Sequence, residues 1–457
     1  LFKPQRAGTG RRWFGKAKME IASQAATPQL AKVSLPKVTQ NSGSATAWIQ
    51  FWDILKFDTK AVFKSVPFLV MLLFGLVNFI GSASQSGAMF GTTVYPVTTN
   101  MLSIMAGSFN FMLIIIVTFY AGELIFKERQ VKIADVVDAM PVPNWVPLLA
   151  KSAALIAVIL SFLSAGAIAG ILMQMIKGGA PIELSLYVKG VLLGASGFIL
   201  LGLLALVLQV LTNNKFIGYL MMILVLISQI VFGTLDLDHN LYNFAGSSAT
   251  PYSDMNGYGH FLNGWSWFTL YWSLFTVALL ILAQAFWVRG LSQEWRIRAR
   301  LAMSKLNSKA GIALALSMTA FALTGGWIFY NTNVLNQYQT KTAALDENAE
   351  YEKKYKQYKN FPHPRLTDVK ANVDIYPEQR KVLINGHYVL QNKSALPQDT
   401  LLVQINTRVK TEWKNLPAHE LVLDDKKLGF SVLKLKQALA AGESMALDFV
   451  TTVENPG

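Results

Sequence analysis

The sequence predicts an α-helical polytopic membrane protein of about seven spans, with a C-terminal helix and a small antiparallel β module outside the membrane. Three observations predict this fold class. No charged residue lies between Ser65 and Gly122, and later runs of about 20 residues are also uncharged. Hydrophobic residues make up 52% of the 457 residues and charged residues 15%, which is more apolar surface than a soluble domain can bury. Towards the C-terminus the apolar residues adopt a period of two, as in β-strands.

The charge and the cysteine count exclude several functions. A net charge of +14 could indicate nucleic-acid binding, but much of the excess lies beside predicted spans, where cytoplasmic Lys and Arg set orientation. We therefore expect no nucleic-acid partner. The chain has no Cys, which excludes disulfides, thiolate metal sites and cysteine nucleophiles.

The N-terminal region divides into a linker and a helix. Residues 1–44 are basic and contain scattered Gly, Ser, Pro and Gln, which predicts a cytoplasmic linker. Because the chain begins at Leu1 rather than Met, we expect a segment of a longer polypeptide. Residues 45–64 predict an amphipathic helix at the membrane interface, with four apolar residues on one face: Trp48, Phe51, Trp52 and Leu55.

The predicted spans are the uncharged runs of about 20 residues. Six of them form a permease domain in residues 65–288, and a seventh follows a basic connector at 289–309. Their expected bounds are 66–80, 102–121, 152–176, 190–214, 216–235, 265–288 and 310–330. Small residues recur within these runs, which predicts close helix packing.

Charge asymmetry predicts the orientation. The connector 289–309 is rich in Lys and Arg, whereas 234–264 contains three Asp and neither Lys nor Arg. Cytoplasmic loops carry the excess of Lys and Arg, so the connector is expected inside and 234–264 outside. An odd number of spans then places residues 331–457 outside.

The outer C-terminal region is expected to contain a helix and a sheet module. In 331–364, Glu and Lys spaced four apart and a stripe of Tyr351, Tyr355 and Tyr358 predict a solvated helix that continues out of the last span. In 365–457 the alternating apolar residues and Gly-containing turns predict antiparallel strands.

A charged stretch, residues 120–145, interrupts the first uncharged region. Its apolar residues Ile133, Val136, Val137 and Met140 recur at helical spacing, and Pro141 follows. This pattern predicts a short amphipathic helix. A solvated helix that merely joins two spans would show the same spacing.

The wording of this stretch, YAGELIFKERQVKIADVVDAMPVPNW, resembles the coupling region after the second span of type-2 ABC exporter permeases. In that family the ATP-binding cassette ATPase subunit docks there. The resemblance implies a partner ATPase, as a dimer, and a second permease half or copy. The candidate coupling residues are Glu123, Lys127, Glu128, Arg129, Lys132, Ile133, Val136, Val137 and Met140.

The resemblance also implies an outer gate of re-entrant helices between the fifth and sixth spans. Here the connection has a Gly- and Ser-rich middle, which departs from the family pattern. The candidate gate residues are Leu241, Tyr242, Phe244, Tyr252, Tyr258, Phe261 and Leu262.

No nucleotide or metal site is predicted in this chain. It contains no GxxxxGK[ST] loop, so any ATP and Mg²⁺ belong to the partner subunit. His419 and Glu420 begin an HExxH pattern, but Leu423 occupies the position of the second His, and the alternation predicts a strand. A metal on Asp236, Asp238, His239 and His260 is an alternative, although polar residues in an aqueous loop need no metal.

The β module carries a second resemblance. The segment VKANVDIYPEQRKVLINGHYVLQNKSALP (369–397), followed by LLVQIN and LAAGESMALDFV, is similar to the N-terminal β domain of aminopeptidase N type zinc metallopeptidases. The catalytic motif of that family lies in a later domain, so whether an enzyme is present stays open. The two resemblances together imply a bacterial class of permeases fused to such a peptidase, with this chain as the second permease half and the start of the peptidase part.

These observations favour the transmembrane permease subunit of an ATP-driven exporter in the bacterial plasma (inner) membrane, with a periplasmic or extracellular module. The alternative is a membrane-anchored peptidase-like scaffold without transport.

Overall fold

A computed structural model of the protein describes residues 43–85, 94–290, 294–307 and 309–454. The predicted linker therefore lies almost entirely outside the described residues. The helices of the described part are α1 (Ser44–Phe63), α2 (Val66–Gln85), α3 (Thr98–Gln130), α4 (Ala134–Asp138), α5 (Trp145–Lys177), α6 (Leu184–Thr212), α7 (Lys215–Thr234), α8 (Phe261–Phe286), α9 (Trp295–Leu306), α10 (Lys309–Phe329) and α11 (Lys341–Tyr355).

Within the described residues, seven helices are long and apolar enough to cross a membrane: α2, α3, α5, α6, α7, α8 and α10, the last extended by a π-helical turn, Tyr330–Leu335. The predicted spans are thereby confirmed as apolar helices. Helices α3 and α5 have 33 residues each, so each is about 50 Å long, against about 30 Å of bilayer hydrocarbon. Their ends must extend beyond any membrane they cross, which explains why these helices include charged residues.

Three helices, α3, α5 and α6, form the centre of the bundle. Phe109 of α3 and Phe162 of α5 are fully buried, with ring centroids 4.9 Å apart. Small residues allow close approach, as the sequence predicts. At Gly122 of α3, a Cβ atom would lie 2.5 Å from the ring of Tyr219 on α7, so only glycine fits there.

The outer helices expose apolar surface. On α7 only Gly218 and Met222 are buried, while residues such as Phe216 and Ile230 are exposed. The same holds for much of α10. Contiguous exposed apolar surface of this kind is suited to lipid or to another protein rather than to water.

The β module contains β1 (Arg365–Tyr376), β2 (Lys381–Gln391), β3 (Gln398–Gln404), β4 (Lys410–Trp413), β5 (His419–Asp425), β6 (Phe430–Leu439) and β7 (Ser444–Glu454). They form a four-stranded sheet in the order β1-β2-β7-β4 and a three-stranded sheet in the order β3-β6-β5, and their pairings are antiparallel. The small antiparallel module is as predicted. Its core is a leucine cluster from both sheets: Leu390, Leu401, Leu433 and Leu447.

Helix α11 packs on this module through the predicted tyrosine stripe. The rings of Tyr351, Tyr355 and Tyr358 lie 6.0, 4.2 and 5.5 Å from the ring of Phe430 on β6. The prediction that this helix continues out of the last span is wrong, because α11 is a separate helix. Residues 336–340 separate it from the π-helical turn, and the Thr340 side chain caps it by accepting a hydrogen bond from the backbone N–H of Ala343.

The bundle thus has two distinct ends. We call the end that carries α4, α9 and the last turns of α3 the α4 end. We call the opposite end, with residues 235–260 and the β module, the module end.

Candidate functional site

An ion cluster at the α4 end joins three helices. The Lys151 ammonium of α5 lies 2.7 Å from a Glu128 carboxylate oxygen of α3 and 3.7 Å from Asp58 of α1. Lys127 of α3 reaches the other oxygen of Asp58 at 2.8 Å. The side chains of Lys151 and Asp58 are 2% and 1% exposed, so each needs a partner of opposite charge.

Two further contacts fasten the end of α3 to the turn between α6 and α7. Lys215 lies 2.6 Å from Glu123, and Arg129 donates a hydrogen bond of 2.6 Å to the side chain of Asn213. Asn213 adopts the left-handed conformation that makes this turn possible. Four predicted coupling residues, Glu123, Lys127, Glu128 and Arg129, therefore contact neighbouring helices within the chain.

The other predicted coupling residues lie at the tip beyond α3. Lys132 has a φ of 59° and turns the chain between α3 and α4. The helix itself, α4, covers Ala134–Asp138 and is shorter than the predicted 133–140. Ile133, Val136 and Met140 are exposed, with Val136 70% exposed, whereas Val137 is half-buried. The predicted apolar face is thus divided between solvent and the protein.

The half-buried side of α4 covers a cavity of about 250 Å³. Its walls include Val137, Ile54 of α1, Ile125 of α3 and Trp287 after α8. Two contacts keep the tip in place across this cavity. Asp138 accepts a hydrogen bond of 2.8 Å from the backbone N–H of Gly290, and Arg289 donates to the Val142 carbonyl.

Sequence reasoning missed several residues of this arrangement. Asp58 has the smallest exposure of the cluster, yet its position in an aromatic-rich helix made it indistinguishable from the exposed charges of that helix. Lys151 carried a signal, because it is the one charge within a long apolar run after Trp145. A lone charge of this kind requires a partner nearby, but the sequence alone does not identify which one.

At the module end, residues 235–260 form turns and a single bridge between Ser253 and Gly257, and they contain no helix. The gate candidates occupy different places there. Leu241 and Phe244 pack on a cluster around Phe268 and Trp272, and Tyr242 is exposed.

Two of the remaining gate candidates lie beside a second cavity. Tyr252 and Tyr258 face each other edge to face at 5.3 Å and line that cavity, while Phe261 and Leu262 begin α8. The structure thus brings the gate candidates together only in pairs.

This outer cavity has a volume of about 600 Å³ and is lined by uncharged groups. The wall formed by α3 and α6 includes Thr99, Ser103 and Gly194, and a Cβ atom on Gly194 would meet nothing within 4 Å. The opposite wall belongs to 247–252, Tyr258 and Trp265. Hydroxyl and aromatic groups predominate, so the cavity suits a neutral ligand better than an ion.

The polar residues that could have held a metal have other roles. Asp236 accepts hydrogen bonds from the Thr340 hydroxyl at 2.8 Å and from the Thr342 backbone N–H at 3.3 Å, at the start of α11. Hydrogen bonds from Thr342 and Thr340 lower the pKa of the Asp236 carboxyl. Asp238 accepts from Tyr338 and from the Lys341 backbone N–H. Both carboxylates therefore join the bundle to α11.

His239 belongs to the same junction. Its Nδ1 accepts a hydrogen bond from the Leu241 backbone N–H, and its Nε2 lies 3.1 Å from the Thr332 hydroxyl. Burial lowers the pKa of the imidazole, which keeps it neutral at pH 7. His419 begins strand β5, as predicted. In the described residues no group of three or more His, Cys, Asp and Glu side chains could hold a metal ion.

Comparison with known proteins does not identify the function of these sites. No protein-family model matches the chain, and a search of curated proteins also finds no match.

Proposed function

We propose that this chain is the permease part of an ATP-driven exporter and that a separate ATPase subunit drives it at the α4 end. The observation that carries the proposal is the construction of that end. A tip formed by α4 and its flanking residues exposes Ile133, Val136 and Met140, and it lies between two helices that are too long for the membrane. Exposed apolar side chains on a tip outside the hydrocarbon favour a protein partner.

The ion cluster supports transmission of force from this tip. A partner that moves α4 also moves the ends of α3 and α5, because Glu128 and Lys151 connect those helices at 2.7 Å. Asp58 adds α1 to the same unit. A displacement at the tip would then tilt whole helices instead of bending a loop.

The outer cavity supports a transport path. It lies at the opposite end of α3 from the ion cluster, so tilting of α3 would alter a wall formed by Thr99 and Ser103. In this proposal the α4 end faces the cytoplasm of a bacterium, the module end faces the periplasm or the exterior, and a second permease half completes the path.

The test is co-purification of an ATP-binding subunit with the full chain from native membranes. Val136→Asp places a charge in the proposed contact and should reduce the partner retained by about 10-fold or more, since interface hot spots contribute about 2 kcal/mol or more. Asn307→Asp is the matched control, because it adds the same charge at an exposed position of the α4 end. Equal partner recovery with both variants, or no ATPase partner with the unaltered chain, would contradict the proposal.

A specific observation favours the alternative of a peptidase-like scaffold. All residues of strand β1 are exposed, and Val369, Val373 and Ile375 form an apolar row on this edge strand. An open apolar edge is suited to supporting a neighbouring domain. If the chain purifies with a peptidase but without an ATPase, the scaffold explains it better than the exporter.

A further inference from the structure

A third cavity, separate from the ion cluster, lies at the α4 end between the end of α8 and α9. It has a volume of about 200 Å³ and borders Asn144, the residue before α5. Three basic side chains line it: Arg289, Arg298 and Lys305. Among the described residues, none that lines the cavity is acidic.

Arg298 is the most buried of the three basic residues, at 5% exposure. Its two terminal nitrogens donate hydrogen bonds to backbone carbonyls at the ends of α6 and α8, including Val210 at 2.8 Å and Phe286 at 3.4 Å. Its Nε is buried without a hydrogen-bond partner among the described residues. Carbonyl groups thus orient the guanidinium but do not supply a full opposite charge.

The other two cations are held in a similar way. Lys305 donates a hydrogen bond of 3.0 Å to the Ala285 carbonyl, and Arg289 donates to the Val142 carbonyl. Asp138 bonds the adjacent Gly290 and is not within ion-pairing distance of Arg289. In the described part of the chain, neither Arg289 nor Arg298 forms a salt bridge with a carboxylate.

The local charges do not balance. The C-terminus of a helix contributes about half a negative charge, so the ends of α6 and α8 offset about one of the two guanidinium charges of Arg289 and Arg298. The N-terminus of α5, next to Asn144, adds positive potential, and the Asn144 side chain does not cap it. Burial lowers the pKa of Arg298 and of Lys305, and the neighbouring cations Arg129 and Arg289 lower them further.

The outer surface of α9 indicates where the cavity lies relative to a membrane. Trp295, Ile297, Leu301 and Met303 are exposed and alternate with basic residues. A basic helix with exposed apolar side chains, one of them Trp, is suited to the membrane surface, where anionic head groups are concentrated. The cavity would then lie at the level of lipid phosphates.

We propose that this cavity binds a phosphate group, held by Arg289, Arg298 and Lys305 beside the start of α5. Two sources carry this chemistry, the head group of an anionic phospholipid and free phosphate. The guanidinium groups provide the N–H donors that phosphate oxygens accept, and the anion supplies the charge that the backbone carbonyls do not.

The experiment uses the full chain, purified in neutral detergent and freed of bound lipid. Binding of phosphatidylglycerol and of phosphatidylcholine is measured by native mass spectrometry, with and without inorganic phosphate as a competitor. The test variant is Arg289→Gln with Lys305→Gln. The control is Arg296→Gln with Arg300→Gln, which removes the same charge from exposed positions outside the cavity lining.

We expect unaltered protein and control to retain phosphatidylglycerol in preference to phosphatidylcholine, and the test variant to bind it about 10-fold or more weakly. Displacement by millimolar inorganic phosphate would identify free phosphate as a ligand, and resistance to it would identify the lipid. Equal losses in the two double variants, or no preference between the lipids together with no bound inorganic phosphate, would overturn the proposal. If the test variant does not fold, Lys305→Gln alone replaces it, against Arg300→Gln.

Discussion

The two ends of the bundle are fastened by different chemistry. At the α4 end, buried side chains of opposite charge join α1, α3 and α5, with Asp58 and Lys151 almost inaccessible to solvent. At the module end, Asp236 and Asp238 bond hydroxyl and backbone N–H groups, and the nearby cavity is lined by uncharged side chains. A buried ion pair cannot exchange its partner for water, whereas a partly exposed carboxylate such as Asp236 or Asp238 can do so at lower cost. The difference suits an end that transmits motion and an end that adapts to a ligand.

The largest expected effect is at the ion cluster. Lys151→Met leaves Asp58 buried with Lys127 as its remaining partner. We expect a loss of about 3 kcal/mol in unfolding free energy, at the lower end of the range for breaking a buried pair. Lys215→Met removes a pair whose side chains are 20% and 30% exposed, and it should cost about 1 kcal/mol or less.

Both variants can be compared by unfolding in detergent, followed by tryptophan fluorescence. The double variant Glu128→Gln with Lys151→Met should recover part of the loss, because it also removes the carboxylate that Lys151 pairs with at 2.7 Å. If Lys151→Met and Lys215→Met lower the unfolding free energy equally, the buried cluster stabilises the fold no more than the more exposed pair does.

A smaller effect is expected where α3 meets α7. Gly122→Ala introduces a Cβ atom 2.5 Å from the Tyr219 ring, so either the ring or helix α7 must shift. Overpacking of this kind costs about 1–3 kcal/mol. Gly107→Ala is the matched control on the same helix, since its Cβ would meet nothing within 4 Å, and it should be neutral or slightly stabilising. The changes in melting temperature that the two variants cause should differ in sign or clearly in size. Identical changes would refute the close α3–α7 contact.

The smallest expected effect is a weaker contact between α11 and the β module at low pH. Hydrogen bonds from Tyr355 and from the Leu428 backbone N–H lower the pKa of the Asp425 carboxyl to about 2. A depressed folded-state pKa means that this stabilisation is complete above the unfolded value of about 3.9 and is lost as the pH falls through about 2. Contact between α11 and the β module should weaken over that interval.

Limited pepsin digestion between pH 4 and pH 2 measures this weakening as cleavage within residues 341–358. Asp425→Asn should already be cleaved faster at pH 4 and should change less with pH. The same pH dependence in the variant and in the unaltered chain would assign the effect to another group.

Local pattern was sufficient for most of the fold, because the apolar helices and alternating strands depend on side-chain periodicity. The tyrosine stripe predicted a solvated helix, and the periodicity did not show that Tyr351, Tyr355 and Tyr358 all reach Phe430. Pairing across the chain could not be predicted in this way. Asp58 and Lys127 are 69 residues apart, and only the packing of α1 brings them together.

The tip and the outer connection show the same limit. Helical spacing grouped Val136 with Val137, but α4 has only five residues and its neighbours bury one side of it. In 235–260, the packing of Leu241 and Phe244 on α8 replaces the gate helices that the family resemblance implies. Tertiary contacts decided the structure in both places.

The most direct test of the account is the side of the membrane that each end faces. The chain has no Cys, so single cysteines at Ser304 on α9 and Ser444 at the start of β7, both exposed, can be labelled in intact cells. We expect a membrane-impermeant maleimide to reach Ser444→Cys from outside and to reach Ser304→Cys only after the cells are opened. Labelling of both positions from outside would place the α4 end and the module end on the same side and would contradict the proposed coupling across the membrane.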